Sequence, residues 1–376
     1  MILIDTTFFA HSEAKNRKLT YSTSIFTADL LDAFSRLGLS KKFCLVVNFN
    51  HVDFFRERFP QYKLCVAKWW PVTLLYKISR GRKTAAKLIK KSGAYRRIAE
   101  KSGAKAIWFP YAMNETFVRT KLKTFATIHD IYRIHHGTKK DADIFKSFIL
   151  DGTTTLFSVS DYTKSDIIKT TGCKKEISVI PNSIVFDVSA QRKIDVLEPK
   201  KYILDLNAYI AKKNPLTLLK AFNLIKDKTD LQLVFCGGYK EEPVWNEIQK
   251  YIDENDLSAR TKLFFQVADE ERNWLLTNAA MFATPSLFEG FGRTPVEAAI
   301  CKIPVVSTKE TSLFEATQGI CNYVENAKDE KEFAKVILEL IKNPPEEKTL
   351  EETAEKLSER YNPDNCAREY EQKFHA

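Results

Sequence analysis

The chain has 376 residues, 44% of them hydrophobic and 28% charged; such proportions exclude a wholly disordered protein and suit two or three globular domains. No apolar run approaches the length of a spanning helix, and the start, MILIDTTFFAHSEAK, lacks the basic region of a secretory signal, so a cytoplasmic protein is expected. Its seven cysteines are scattered, odd in number and without a C-x-x-C pair, which favours buried reduced thiols over disulfides or a zinc site.

In chain order, β-branched and aromatic runs alternate with helical stretches. The runs are MILID, FCLVVNF, KLCVAKWW, AIWFP, TFATIHD, TTLFSVS and EISVIPN, and the helical stretches include STSIFTADLLDAFSRLG and SDYTKSDIIKTTG. In the latter, Ser160 or Asp161 reads as the N-cap and Gly172 as the stop. Such alternation argues for a parallel sheet covered by helices.

Most of the basicity lies in one segment of this half. The net charge is +10, yet Gln61 to Pro110 holds thirteen Lys/Arg against one acid, Glu100, so this window is +12 and the remainder −2. Lys83, Lys87, Lys90 and Lys91 recur at helical spacing, and Trp69 and Trp70 are aromatic neighbours suited to a headgroup boundary. At about 1 kcal/mol per Lys/Arg near an anionic surface, half of them would suffice for reversible docking. The expectation is therefore a peripheral protein on the inner face of the cell membrane. The alternative is a solvated Lys-rich face. Nucleic acid is not expected as a partner, because no recognised nucleic-acid motif accompanies the charge.

After IPNSI (180–184) the stretch VFDVSAQRKIDVLEPKK is polar and aperiodic, and then the alternation restarts. KYILDLNA, a helix from Pro215 to about Lys226, LQLVFCGG, VWNEIQKYIDEN, TKLFFQV, DEERNWLLTNA, AMFATPS, RTPVEAAIC and IPVVSTK form a second α/β set. The tail LEETAEKLSERYNPDNCAREYEQKF reads as helical with a break at Pro363. Expected boundaries are 1–190, 200–355 and a C-terminal helix over 356–376. The fold class expected is α/β, with two tandem Rossmann-like domains and a ligand cleft between them.

The stretch ATPSLFEGFGRTPVEAAICKIPVVST (283–308) carries the most chemistry. A strand ends in a loop holding Glu289, Gly290, Phe291 and Gly292, and a helix is expected to start near Thr294 or Pro295. Glycine amides and a helix N-terminus together favour a phosphate. Glu297, expected in the first turn, could reach a ribose diol, and Glu289 could bond sugar hydroxyls. The plainer alternatives are a loop carboxylate and a helix acid favoured by the dipole. No Asp-x-Asp couple sits at a strand end to hold a metal; Asp141 and Asp143 read as a surface pair.

On PSLFEGFGRTPVEA, with its two Glu, and on VFCGG (234–238), VADEERNWLLTNA (267–279), the His129-Asp130 pair, SVSDYTKSDI and IPNSI, the sequence resembles the retaining group 1 nucleotide-sugar glycosyltransferases, family 4, of GT-B fold. The resemblance implies a nucleoside-diphosphate sugar, UDP- or GDP-linked, as donor, with no cofactor and no metal. It implies Glu297 on the ribose, Glu289 on the donor sugar, Lys213 of AKKNP on the diphosphate and His129 facing the reacting centre. Val267 would contact the base, with Gly237, Asn207 and the Gly290–Gly292 loop also on the donor side. Asp130, Ser22 and Ser24 fall on the acceptor side. From the residues alone, His129 could equally be a core histidine.

Two departures stand out. Family members usually carry Gly-Arg where this chain has Asn207-Ala208, and the glycine pair of the first N-terminal loop is replaced by LTYSTSIF. Arg293 is expected to supply the missing positive charge. The function implied is transfer of a hexose to a glycan acceptor, lipid-linked or an oligosaccharide, in bacterial surface polysaccharide synthesis. The alternatives are a weak or inactive member that binds membranes or partners, and a nucleotide-sugar epimerase.

Overall fold

In the computed structural model, which describes residues 1–67, 101–112, 122–152, 154–185 and 187–375, the expected runs form parallel strands. They are β1 (Ile2–Asp5), β2 (Phe43–Asn48), β3 (Lys63–Ala67), β4 (Ala106–Phe109), β5 (Lys123–Ile128), β6 (Thr154–Ser158) and β7 (Ile177–Val179). The sheet order is β3-β2-β1-β4-β5-β6-β7. Ile4 pairs with Leu45 on one side and Trp108 on the other, so the order reverses at β1 and β4. Strands buried on both faces read as continuous apolar runs, and every residue of β1 and β4 is buried.

The second sheet is also wholly parallel. It contains β8 (Tyr202–Leu206), β9 (Gln232–Gly237), β10 (Thr261–Phe265), β11 (Met281–Ala283), β12 (Val305–Thr308) and β13 (Asn322–Val324), in the order β10-β9-β8-β11-β12-β13. Ile203 of β8 lies between Leu233 and Met281. The order therefore reverses at β8 and β11. In doubly wound sheets, ligands sit beyond the carboxyl ends of the strands at that reversal.

The chain forms two compact units, one of Met1–Ser183 with Pro363–Ala376 and the other of Ile184–Asn362. This corrects the expected boundaries. The polar stretch after 184 belongs to the second unit, where Asn273 Nδ2 donates to the carbonyls of Asp187 (2.9 Å) and Ala190 (3.1 Å). The return to the first unit comes at Pro363 rather than 356. The helix Glu347–Arg360 stays with the second unit and packs on the helix Arg293–Ile300.

The last helix, Pro363–His375, packs on the helix Ser22–Arg36 and completes the first unit's core. Its Tyr370 ring lies 4.8 Å from Trp108 and 5.2 Å from Phe157, and Tyr370 and Thr127 share a hydroxyl hydrogen bond of 3.1 Å. The helix caps follow the sequence. Ser160 Oγ accepts from Thr163 N (3.0 Å), and Gly172 closes the same helix at φ 71°. No described helix is long and apolar enough to cross a membrane. Trp69, Trp70, Lys83, Lys87, Lys90 and Lys91 lie outside the described residues.

Candidate functional site

In the second unit, the strand-end loops converge at the reversal. Asn207 follows β8 and Thr284 follows β11; Asn207 Nδ2 donates to Thr284 Oγ1 at 3.2 Å and to the Asp205 carboxylate. Thr284 and Ser286 share a hydroxyl hydrogen bond of 3.2 Å, and all four side chains are buried. Gly237 ends β9 directly beside this bridge. A Cβ there would stand 2.4 Å from the Asn207 carbonyl oxygen, so only glycine lets the two backbones meet. Gln266 N donates to the Gly237 carbonyl at 3.0 Å, so the chain leaves β10 beside this strand end just before Val267. The structure thus brings Asn207 and Gly237 to one place, with Gln266, the residue before Val267, bonded to the same strand end.

Lys213 and Glu289 form an ion pair next to the bridge, with side chains 15% and 12% exposed. Two backbone clamps hold Glu289: its N–H donates to Thr311 Oγ1 (2.9 Å), and Ser312 Oγ donates to its carbonyl (2.9 Å). The neighbouring Lys212 extends elsewhere, its ammonium 5.9 Å from the centre of the Phe288 ring. Burial pushes the Asp205 carboxyl up to about 7, with Glu289 adding to the rise and Asn207 and Lys213 opposing it.

Gly292, at φ 91°, caps the helix Arg293–Ile300, and a Cβ on it would meet Leu313 Cδ2 at 2.7 Å. Because this left-handed residue makes the turn, the helix begins at Arg293, earlier than expected. Glu297 then falls beyond the first turn, which corrects the placement read from sequence. The Phe291 ring packs edge-on against Tyr361 at 5.1 Å. Gly290 is buried in the same loop.

Glu297 is 4% exposed and sits between two guanidiniums. Arg272 Nη2 bonds its Oε2, and Arg293 Nε lies 3.5 Å from Oε1. Burial alone would push the carboxyl up, but Arg272 and Arg293 outweigh it and hold Glu297 below its ordinary range. Arg293, expected to face a phosphate, lies in this structure beside Glu297.

In the first unit, His129 follows β5 and its Nε2 donates to the Pro110 carbonyl after β4 at 2.9 Å. Phe26 and Tyr111 lie against its ring at 4.8 and 5.8 Å. This places it at that sheet's strand ends, beside the reversal. Asp130 Oδ1 accepts from Tyr132 N (3.0 Å), a turn contact at the start of the helix Tyr132–His136.

Ser24, expected on the acceptor side, is turned inward. It is 1% exposed, and its hydroxyl donates to Glu13 at 2.8 Å. The buried Glu13 carboxylate also accepts from the backbone N–H groups of Ala10 (2.9 Å), Thr20 (2.7 Å) and Tyr21 (2.9 Å). Where the family usually carries a glycine pair, this chain closes on its own carboxylate. Ser22 is exposed at the first position of the helix Ser22–Arg36.

Sequence reasoning missed Asp205, Thr284, Ser286 and Arg272. Asp205 had a signal, an acid inside the apolar run YILDL. Arg272 had none, since an arginine in DEERNW reads as an exposed helix charge.

Residues 187–357 match the family model described as glycosyl transferases group 1. Among curated proteins, the chain is 30% identical over 175 residues to an alpha-1,3/1,6-mannosyltransferase of Dictyostelium discoideum, a stretch covering 41% of this chain and 40% of that protein. It is 28% identical over 180 residues to O-antigen chain mannosyltransferase B of Escherichia coli, covering 44% and 46%. The chain thus spans less than half the length of these two relatives. Among solved structures, it is similar to Anabaena HepE in complex with UDP and glucose, at TM-score 0.72 and 12% identity over 100% of this chain and 99% of that one. WaaG, a glycosyltransferase involved in lipopolysaccharide biosynthesis, matches at TM-score 0.66 and 11% identity over 98% of each chain. Likeness at these identities shows the fold, a pair of Rossmann-like domains of GT-B type.

Proposed function

We propose, from the match of residues 187–357 to the group 1 glycosyl transferase model, that the chain moves a hexose from a nucleoside-diphosphate sugar to a glycan acceptor, with retention and without a metal. The observation that carries this is the second unit's strand-end site. There the Lys213–Glu289 pair and the Glu297 carboxylate flank the Gly290–Gly292 loop at the sheet's reversal. Negative charge builds on the departing diphosphate. Lys213 and the loop amides are preorganised to stabilise it, which is where an enzyme of this kind lowers its barrier. The leaving diphosphate oxygen takes the acceptor's proton, so no enzyme base is needed. The mannosyltransferase names of the relatives favour a mannosyl donor.

Calorimetry with UDP, GDP and their sugar conjugates tests the reading. We expect binding of one nucleotide family and a loss of about 1.5–3 kcal/mol in Glu297→Gln, the range for a hydrogen bond to a charged group. Unchanged affinity in that variant would remove Glu297 from the ribose. Ala208, standing where the family usually has Arg, favours a second reading as a binding protein without turnover. Release of free sugar from the bound donor would dismiss it.

We place the acceptor in a membrane, as a lipid-linked glycan, on the +12 window between Gln61 and Pro110. Exposed charges are screened beyond about 8 Å at 0.15 M salt. Sedimentation should therefore show binding to anionic vesicles at low salt, less at high salt, and little to neutral vesicles. Charge reversal at Lys83, Lys87, Lys90 and Lys91 should reduce it again. Equal partitioning onto both lipids would leave a solvated face and a water-borne acceptor.

A further inference from the structure

Glu297 is held by a residue that the motif around it does not contain. Arg272 comes from the helix Asp269–Asn278, 25 positions earlier in the chain, and reaches across to bond Oε2. Among the described residues, the charged groups acting on this carboxylate are Arg272 and, from its own helix, Arg293. The Cys301 thiol, at the end of that helix, is pushed up to about 12 by burial and by Glu297, and so is neutral. On the helix Glu347–Arg360 packed against it, Glu351 is engaged by Lys302 at 2.7 Å.

We propose that Arg272 is a positioning residue of the nucleotide site, holding Glu297 ionised and fixed in orientation so that it can accept both hydroxyls of a ribose. The inference rests on the function proposed above. Two things support it. A buried carboxyl without a cation tends to take up a proton, and then it donates one hydrogen bond instead of accepting two. A buried ion pair is also a poor device for stability alone, because apolar residues of like volume do as well. The contact geometry divides the labour: Arg272 makes the close hydrogen bond to Oε2, while Arg293 stands 3.5 Å from Oε1. The Arg272 side chain is still 30% exposed, against 6% for Glu297. The guanidinium therefore reaches from solvent to the buried oxygen.

The test is calorimetric titration of the full chain with UDP and GDP at pH 5.5 and pH 8. Each variant is expressed as a ratio to wild type, so that titration of the ligand's own phosphate cancels. Arg272→Met should bind about tenfold more weakly at pH 8, as for a lost charged hydrogen bond. The ratio should worsen at pH 5.5, because a carboxyl stripped of this cation protonates as pH falls. Arg272→Lys keeps the charge without the planar fork; its ratio should be the same at both pH values. In the background of Glu297→Gln, Arg272→Met should add no further loss. A wild-type affinity in Arg272→Met at both pH values, or losses that multiply in the double variant, would overturn the assignment while leaving the nucleotide site standing. If wild type binds neither nucleotide, the proposed function falls and this assignment with it. Should Arg272→Met fail to fold, Arg272→Gln carries the same pH comparison, with a ratio independent of pH as the overturning result.

Discussion

Replacing Lys213 with alanine is expected to lower turnover of a nucleotide-sugar donor by about a hundred- to a thousandfold, the usual cost of removing one preorganised group from a developing anion. The two adjacent lysines are placed differently. Lys212 lies over the Phe288 ring, whereas Lys213 reaches the Glu289 carboxylate beside the strand-end bridge. Without donor, that carboxylate holds the ammonium in place. A diphosphate carries more charge than one carboxylate and should compete for it. Lys213→Ala also removes the cation from a carboxylate that is only 12% exposed, so the variant's melting temperature must be measured beside its kinetics. The expected pattern is a large fall in kcat with the protein still folded. If the folded variant turns over within twofold of wild type, Lys213 is only a structural partner of Glu289.

Tyr370→Ala should cost the first unit about 3–5 kcal/mol, the range for removing a large aromatic from a packed core. Tyr370 is fully buried among Trp108, Phe157 and Phe374. Its hydroxyl is paired with Thr127, whose own hydroxyl accepts from Trp108 Nε1 at 3.0 Å. The substitution opens a cavity and breaks this buried chain of hydrogen bonds. Two units need not unfold together, so the denaturation midpoint should be followed with a probe on each. The first unit's midpoint should drop while nucleotide binding to the second stays near wild type. A loss below 1 kcal/mol would mean that the last helix only rests on the first unit instead of completing its core.

The reading of the elements and the pairing of their side chains have different origins. Periodicity located every strand of the first sheet and all but β13 of the second, because a strand buried on both faces must be apolar throughout, and this is visible in any short window; β13 (Asn322–Val324) is short and only partly buried, and no apolar run marked it. Cap chemistry placed the ends of the helix Asp161–Thr171, since Ser160 and Gly172 act on their immediate neighbours. The strand–loop–helix around Glu289 and Gly292 was legible for the same reason. Its register was off because the left-handed turn at Gly292 starts the helix at Arg293.

The sequence by itself determined the α/β class, the order of the elements and the loop most suited to a phosphate. Only the tertiary structure decided which charges meet. Lys213 reaches Glu289 across 76 positions and Arg272 reaches Glu297 across 25, while Ser24 turns inward to Glu13. It also decided that the chain returns to its first unit at Pro363, where Tyr370 and Phe374 find their aromatic neighbours. The physical reason is range. Propensity, periodicity and capping act within a turn or a strand, whereas an ion pair depends on strand order and helix packing, which bring together residues that no local window contains.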